Sequence, residues 1–122
     1  MPSKRILFVD DDPDWRLIVS DFLGEAGFQV ATAADATQAM LEASRTKLDL
    51  IILDLDLAGK NGASLLKPLN QSQPEAPIIL YTGLGHDESE IQDLLKQGAH
   101  RYLRKGTMEE LLEGVRDALQ AK

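Results

Sequence analysis

Cysteine is absent from the 122 residues, which excludes disulfide scaffolds, thiol catalysis and zinc-thiolate sites together. That absence fits a reducing compartment, and the cytoplasm is the expected location. No apolar run approaches the ~20 residues that a membrane helix needs. The start Met1-Pro2-Ser3-Lys4-Arg5 leads into only four apolar residues, too few for a signal peptide. Positive charge is scarce as well. Thirteen basic residues stand against 20 acidic ones, for a net charge of −7, which repels phosphate backbones and argues against direct nucleic-acid binding.

What is present is an ordinary globular composition, 43% hydrophobic and 27% charged, far from that of disordered chains. The length suits one domain spanning 1–122, and such a domain buries roughly two thirds of the surface its unfolded chain exposes, enough for a core without staples.

Short apolar runs alternate with amphipathic helical patterns, the order of parallel β-α units, and five such units can be counted. Ile6-Leu7-Phe8-Val9 precedes Asp12-Pro13, a side-chain cap followed by proline at the first helical position. Trp15, Ile18, Val19, Phe22, Leu23 and Ala26 then form one buried stripe, ended by Gly27. Phe28 to Thr32 reads as an edge strand, and Asp35 caps a helix whose inner face is Ala36, Ala39, Met40 and Ala43. Leu50-Ile51-Ile52-Leu53 and Ile78-Ile79-Leu80-Tyr81 are apolar on both faces, as central parallel strands must be. Between them Leu65, Leu66 and Leu69 mark a helix that Pro68 should kink or shorten. Asp87 with Glu90 and Thr107 with Glu110 form capping boxes for the last two helices, and 100–104 is the opposite edge strand. The pattern is α/β: a doubly wound sandwich with helices on both faces of a parallel sheet.

In such sheets ligands bind beyond the carboxyl ends of the strands. The residues there are Asp10, Asp11 and Asp12 after the first run, Asp54 after the third, Thr82 after the fourth, and Arg104 and Lys105 after the fifth. Carboxylates gathered at neighbouring strand tips repel one another and raise their own pKa values unless a cation joins them. With no Cys and no His near these positions, the donors are oxygens, which points to Mg²⁺. Asp12 and Asp14 serve mainly to cap the first helix.

These residues resemble the receiver domain of two-component response regulators over the whole chain. The matching stretches are Ile6 to Pro13, Asp49 to Asp54 with Gly59-Lys60-Asn61-Gly62, Pro77 to Gly83, and Gly98 to Lys105. The resemblance implies a flavodoxin-like (βα)5 sandwich, a five-stranded parallel sheet of order 2-1-3-4-5. It implies a switch rather than an enzyme: Asp54 accepts a phosphoryl group from a phosphohistidine on a sensor histidine kinase or a histidine phosphotransfer protein. Asp11 binds Mg²⁺ directly, Asp10 mostly through water, and the backbone carbonyl of Asp56 completes the protein ligands. Lys105 and the Thr82 hydroxyl bind phosphoryl oxygens, Tyr102 is the switch aromatic, and Gly83 leaves the acceptor open. A downstream effector meets the face formed by the fourth helix, fifth strand and fifth helix. Trp15, four residues past Asp11, lies near enough to report metal binding.

Four departures stand out. Gly106 replaces the usual proline after Lys105; a cis bond before a non-proline costs roughly 2.5 to 4 kcal/mol, so a trans bond is expected, with the turn set by glycine's freedom. Ala58 replaces a common proline and loosens the loop after Asp54. Asp56 adds a fourth carboxylate, and apolar Leu84 is expected to hinder the hydrolytic water. Two other classes compete. Asp54-Leu55-Asp56 also resembles the nucleophile pair of haloacid-dehalogenase-type phosphatases, but Ala58 and the lack of a late acidic pair weigh against it. A flavin site would need hydroxyls and glycines where the triple aspartate stands. A receiver-shaped module that no longer takes phosphate is the remaining alternative. No output segment follows the last helix in the sequence, which leaves either a separate partner or a larger parent protein.

Overall fold

A computed structural model describes residues 3–57, 60–83 and 85–120. Five parallel strands, β1 (Arg5–Val9), β2 (Gln29–Ala33), β3 (Leu50–Leu53), β4 (Ile78–Thr82) and β5 (Arg101–Arg104), form one sheet in the order β2-β1-β3-β4-β5. Five helices alternate with them: α1 (Pro13–Glu25), α2 (Ala36–Arg45), α3 (Leu66–Ser72), α4 (Glu88–Lys96) and α5 (Met108–Gln120). The expected doubly wound sandwich and strand order are both present. No helix among the described residues is long and apolar enough to cross a membrane.

Alternation along the strands splits the core in two. Leu7, Val9, Ile51, Leu53, Ile78 and Leu80 face α2, α3 and α4, while Ile6, Phe8, Leu50, Ile52, Ile79 and Tyr81 face α1 and α5. Strands buried on both faces cannot slip in register without moving every side chain into the wrong layer. The register places Val9 opposite Leu53 and Thr82 opposite Arg104, so the residues just beyond the strand ends share one rim.

Local signals act largely as the sequence suggests. Asp12 caps α1 by accepting from the Asp14 N–H at 2.9 Å, Asp35 caps α2 from the Gln38 N–H at 2.9 Å, and Gly27 leaves α1 at φ 102°. The segment before Pro68 is a 3-10 turn, Gly62–Leu65, and α3 starts only at Leu66. The proline therefore sits in the first turn of α3, where helices tolerate it best.

Some expectations need correction. Ile18 was placed on the buried stripe of α1 but is 48% exposed. Successive helical residues are rotated by about 100°, and Val19 and Leu23 take the centre of the covered arc, leaving Ile18 on its margin. Strand β2 runs Gln29–Ala33 rather than from Phe28, and β5 begins at Arg101. A two-stranded antiparallel ladder pairing Asp56–Leu57 with Lys60–Asn61 was not anticipated. Ala58 and Leu84 lie outside the described residues.

Candidate functional site

The rim beyond the carboxyl ends of β1, β3, β4 and β5 gathers the polar residues expected there. Asp10 follows β1 and is wholly buried; its N–H donates to the Ala33 carbonyl at 3.0 Å, and its carbonyl accepts from Arg16 Nη1 at 2.8 Å. Asp54 follows β3 and is 2% exposed, its N–H donating to the Val9 carbonyl at 2.9 Å. These main-chain bonds fix the two carboxylates side by side.

Gly62 closes the site from below. Its N–H donates to the Leu55 carbonyl at 2.7 Å, and a Cβ there would collide with the Asp54 carbonyl oxygen. Only the absence of a side chain allows the loop after Asp54 to fold back this closely.

The side chains converge. Asp54 Oδ1 accepts from the Asp56 N–H at 3.0 Å and is 2.9 Å from Thr82 Oγ1, while Oδ2 accepts from Lys105 Nζ at 3.1 Å. Lys105 Nζ also lies 2.7 Å from Asp10 Oδ2 and 4.9 Å over the ring of Trp15. Asp10, Asp11 and Asp54 each offer a carboxylate oxygen within 4.8 Å of the others. Asp11 is exposed at the mouth. The ion-pair contact with Lys105 aside, Asp10 Oδ2 is buried without a hydrogen-bond partner. An all-oxygen donor set with one incompletely satisfied carboxylate suits a hard divalent cation, so the residues fit a metal site.

Burial is the main force on Asp10 and raises its pKa, and the Asp54 charge adds to that, against the opposing pull of Lys105 and the Asp12 N–H. Burial also works against the Lys105 charge, but contact with Asp10 and the charges of Asp54 and Asp10 outweigh it and raise the lysine's pKa. The ammonium thus partly neutralises the carboxylates that a metal would otherwise hold.

The expectation of no histidine near the strand ends requires correction. His86, on the loop after β4, folds back over the site, with Nε2 3.1 Å from Asp56 Oδ2 and 3.4 Å from Thr82 Oγ1, and Nδ1 2.9 Å from Glu90 Oε1. Glu90 is therefore turned toward His86. The expected capping box of α4 is half made: the Asp87 carboxylate accepts from the Glu90 N–H at 2.7 Å, while the Glu90 carboxylate serves the histidine. Burial lowers the His86 pKa, but hydrogen bonds to Asp56 and Glu90 more than offset it and the net shift is upward. Desolvation likewise pushes Asp56 up, and the bonds from His86 and Thr82 bring it below its usual value. Charged His86 consequently stabilises the fold fully below its unfolded value near 6.5, and that contribution is lost as pH rises through the higher folded-state value. In an NMR titration of the metal-free protein, His86 is expected to titrate above the ordinary histidine value of 6.5, and Glu90→Gln to move it down. An unshifted His86 would contradict the network.

Of the other residues expected at the strand ends, Arg104 is the exception. Thr82 is wholly buried and inward, and a Cβ on Gly83 would meet nothing within 4 Å, so the mouth stays open. Tyr102 is half-buried against the α4 side of the core, away from the carboxylates. Arg104 is exposed and takes no part. The cleft has a volume of about 670 Å³, with Trp15, Asn61, His86 and Glu90 around the carboxylates.

A family profile for the response regulator receiver domain matches residues 6–116. The chain belongs to that family. Among relatives of this receiver, the transcriptional activator protein PfeR of Pseudomonas aeruginosa is 34% identical over 98% of the chain and 38% of its own length. The receiver therefore spans well under half of that relative. A response regulator from Burkholderia pseudomallei, solved with a phosphorylated aspartic acid, calcium ion and citrate, superposes with a TM-score of 0.86 at 30% identity, over 96% of this chain and 66% of that one. Response regulator TrrA of Thermotoga maritima, solved with Mg(2+)-BeF, gives 0.83 at 33% identity over 95% and 99%. The chain is a two-component receiver, a signalling switch, with an acidic cluster suited to a divalent metal. These matches leave the phosphatase and flavin readings without support.

Proposed function

We propose that Asp54 is the phosphoryl acceptor, within a single receiver unit spanning residues 1–122. The observation that carries this reading is the convergence of Lys105 and Thr82 on the two oxygens of one buried carboxylate, beside Asp10 and Asp11. An Asp54 oxygen attacks phosphorus, the bond from phosphorus to the donor imidazole nitrogen breaks, and the electron pair leaves with that imidazole. Lys105 neutralises charge on the transferred oxygens, and the Thr82 hydroxyl turns from the carboxylate to the phosphoryl group.

Mg²⁺, held by Asp10, Asp11, Asp54 and the backbone carbonyl of Asp56, would supply further charge neutralisation. The donor is a phosphohistidine on a sensor histidine kinase or a histidine phosphotransfer protein, a partner class that the family implies. Movement of Thr82 admits Tyr102 inward and alters the α4-β5-α5 face, where an effector binds. Such a switch needs two packings separated by a few kcal/mol. The net charge of −7 argues against direct nucleic-acid binding by this unit. The absence of cysteine supports action in a reducing, cytoplasmic setting.

A receiver-shaped module that no longer takes phosphate would normally have lost part of this site, whereas Asp10, Asp11, Asp54, Thr82 and Lys105 are all present. The deciding test is whether a small acyl phosphate adds one phosphoryl group to Asp54 in the presence of Mg²⁺.

A further inference from the structure

The loop that carries Lys105 lacks the proline expected after it, and the glycine in its place does not behave as a hinge. No cis peptide bond occurs among the described residues, so Lys105-Gly106 is trans as expected, but Gly106 is not among the glycines with positive φ. Nor does space require glycine: an added Cβ would meet only Arg104 O at 3.7 Å and Glu110 Oε2 at 3.8 Å, ordinary contacts. The expectation that the turn rests on glycine's freedom is therefore wrong. What residue 106 supplies is a backbone N–H, which proline would not have. It donates to the Tyr81 hydroxyl at 3.3 Å.

Tyr81 is built into the opposite layer from Thr82. It is 1% exposed among the α1 and α5 side chains, and its ring meets Trp15 edge to face at 5.8 Å and 83°. Trp15 in turn lies under the Lys105 ammonium. On the other side, the Lys105 N–H donates to the Thr82 carbonyl at 2.8 Å. The main chain is thus pinned both at Lys105 and at the next residue, and the side chain rests on a ring that Tyr81 braces. Burial raises the Tyr81 pKa, so the phenol stays protonated and its oxygen neutral.

We infer that Tyr81 is a positioning residue for Lys105: its hydroxyl, through the Gly106 N–H, and its ring, through Trp15, hold the ammonium on Asp54 in place of the missing proline. The inference rests on the reading of Lys105 as a phosphoryl ligand. It assigns Tyr81 no contact with the phosphoryl group itself.

The test is the initial rate of phosphorylation by a small acyl phosphate at saturating Mg²⁺, for Tyr81→Phe in three backgrounds: the parent, Gly106→Ala, which keeps the N–H, and Gly106→Pro, which removes it. A hydrogen bond contributing about 1 kcal/mol corresponds to roughly a fivefold fall in rate. That fall is expected in the parent and in Gly106→Ala, with less than a twofold change in Gly106→Pro. Mg²⁺ affinity, read from Trp15 fluorescence, should stay within twofold for Tyr81→Phe, which a general loosening of the fold would not permit. An equal fall in all three backgrounds, no fall in any, or a matching loss of Mg²⁺ affinity would overturn the role of Tyr81 while leaving Asp54 as acceptor. A parent that takes no phosphoryl group at all would overturn the underlying reading as well.

Discussion

Lys105→Met should lose about 3 kcal/mol of stability in chelator, because it removes the cation from two buried carboxylates at once. Lys105 Nζ is 2.7 Å from Asp10 Oδ2 and 3.1 Å from Asp54 Oδ2, and neither carboxylate has solvent to fall back on. A domain of this size should then melt roughly 10 °C lower. Two controls separate this cause from lost packing. Mg²⁺ should restore most of the stability, since it takes over the same charges. The deficit should also shrink on acidification: Asp10 already has a raised folded-state pKa and loses with Lys105 a group that lowers it, so the uncompensated charge is expelled by protonation as pH falls through the variant's still higher value, and is felt fully only above it. Phosphorylation of the variant should slow on the order of 10²-fold, the scale of losing one preorganised charge contact. Parent-like melting in chelator would show that the lysine does not hold the carboxylates.

Gly62→Ala is expected to cost about 2 kcal/mol and to slow phosphorylation, although the substitution adds one methyl group 8 residues from Asp54 in sequence. The added Cβ would strike the Asp54 carbonyl oxygen and lie 3.0 Å from Leu55 Cα, and both neighbours are backbone that cannot rotate aside. The acceptor must shift for the chain to close. Gly24→Ala makes the comparison, because a Cβ there meets nothing within 4 Å and the residue is helical, so it should stabilise by roughly 0.5–1 kcal/mol. Urea unfolding of the two variants should move the midpoint in opposite directions. A neutral Gly62→Ala would mean that the loop after Asp54 is not packed as tightly as described.

Why some of this was legible in the sequence and some not follows from the physics of each element. Strands buried on both faces must be apolar throughout, so Ile6 to Val9, Leu50 to Leu53 and Ile78 to Tyr81 announce themselves, and the polar residue that ends each run marks the rim. Asp10, Asp54, Thr82 and Lys105 were found that way, with the resemblance adding their roles. Ile18 failed because helical periodicity gives the direction of a buried face but not its width, which depends on how far the neighbouring layer extends. His86 escaped because it lies on a loop, where no periodicity says which way the chain turns. The one available signal was Glu90 at i+4 on an acidic first turn, and that was read as a cap. Gly106 misled for a related reason: glycine suggests backbone freedom, whereas here the position offers a hydrogen-bond donor, and only the placement of the Tyr81 hydroxyl reveals it.

Intact mass after incubation with a small acyl phosphate and Mg²⁺ bears most directly on Asp54 as the acceptor. The parent should gain one phosphoryl group, and neither Asp54→Asn nor the parent in chelator should gain any. An adduct that persists in Asp54→Asn, or a parent that stays unmodified in Mg²⁺, would contradict the assignment.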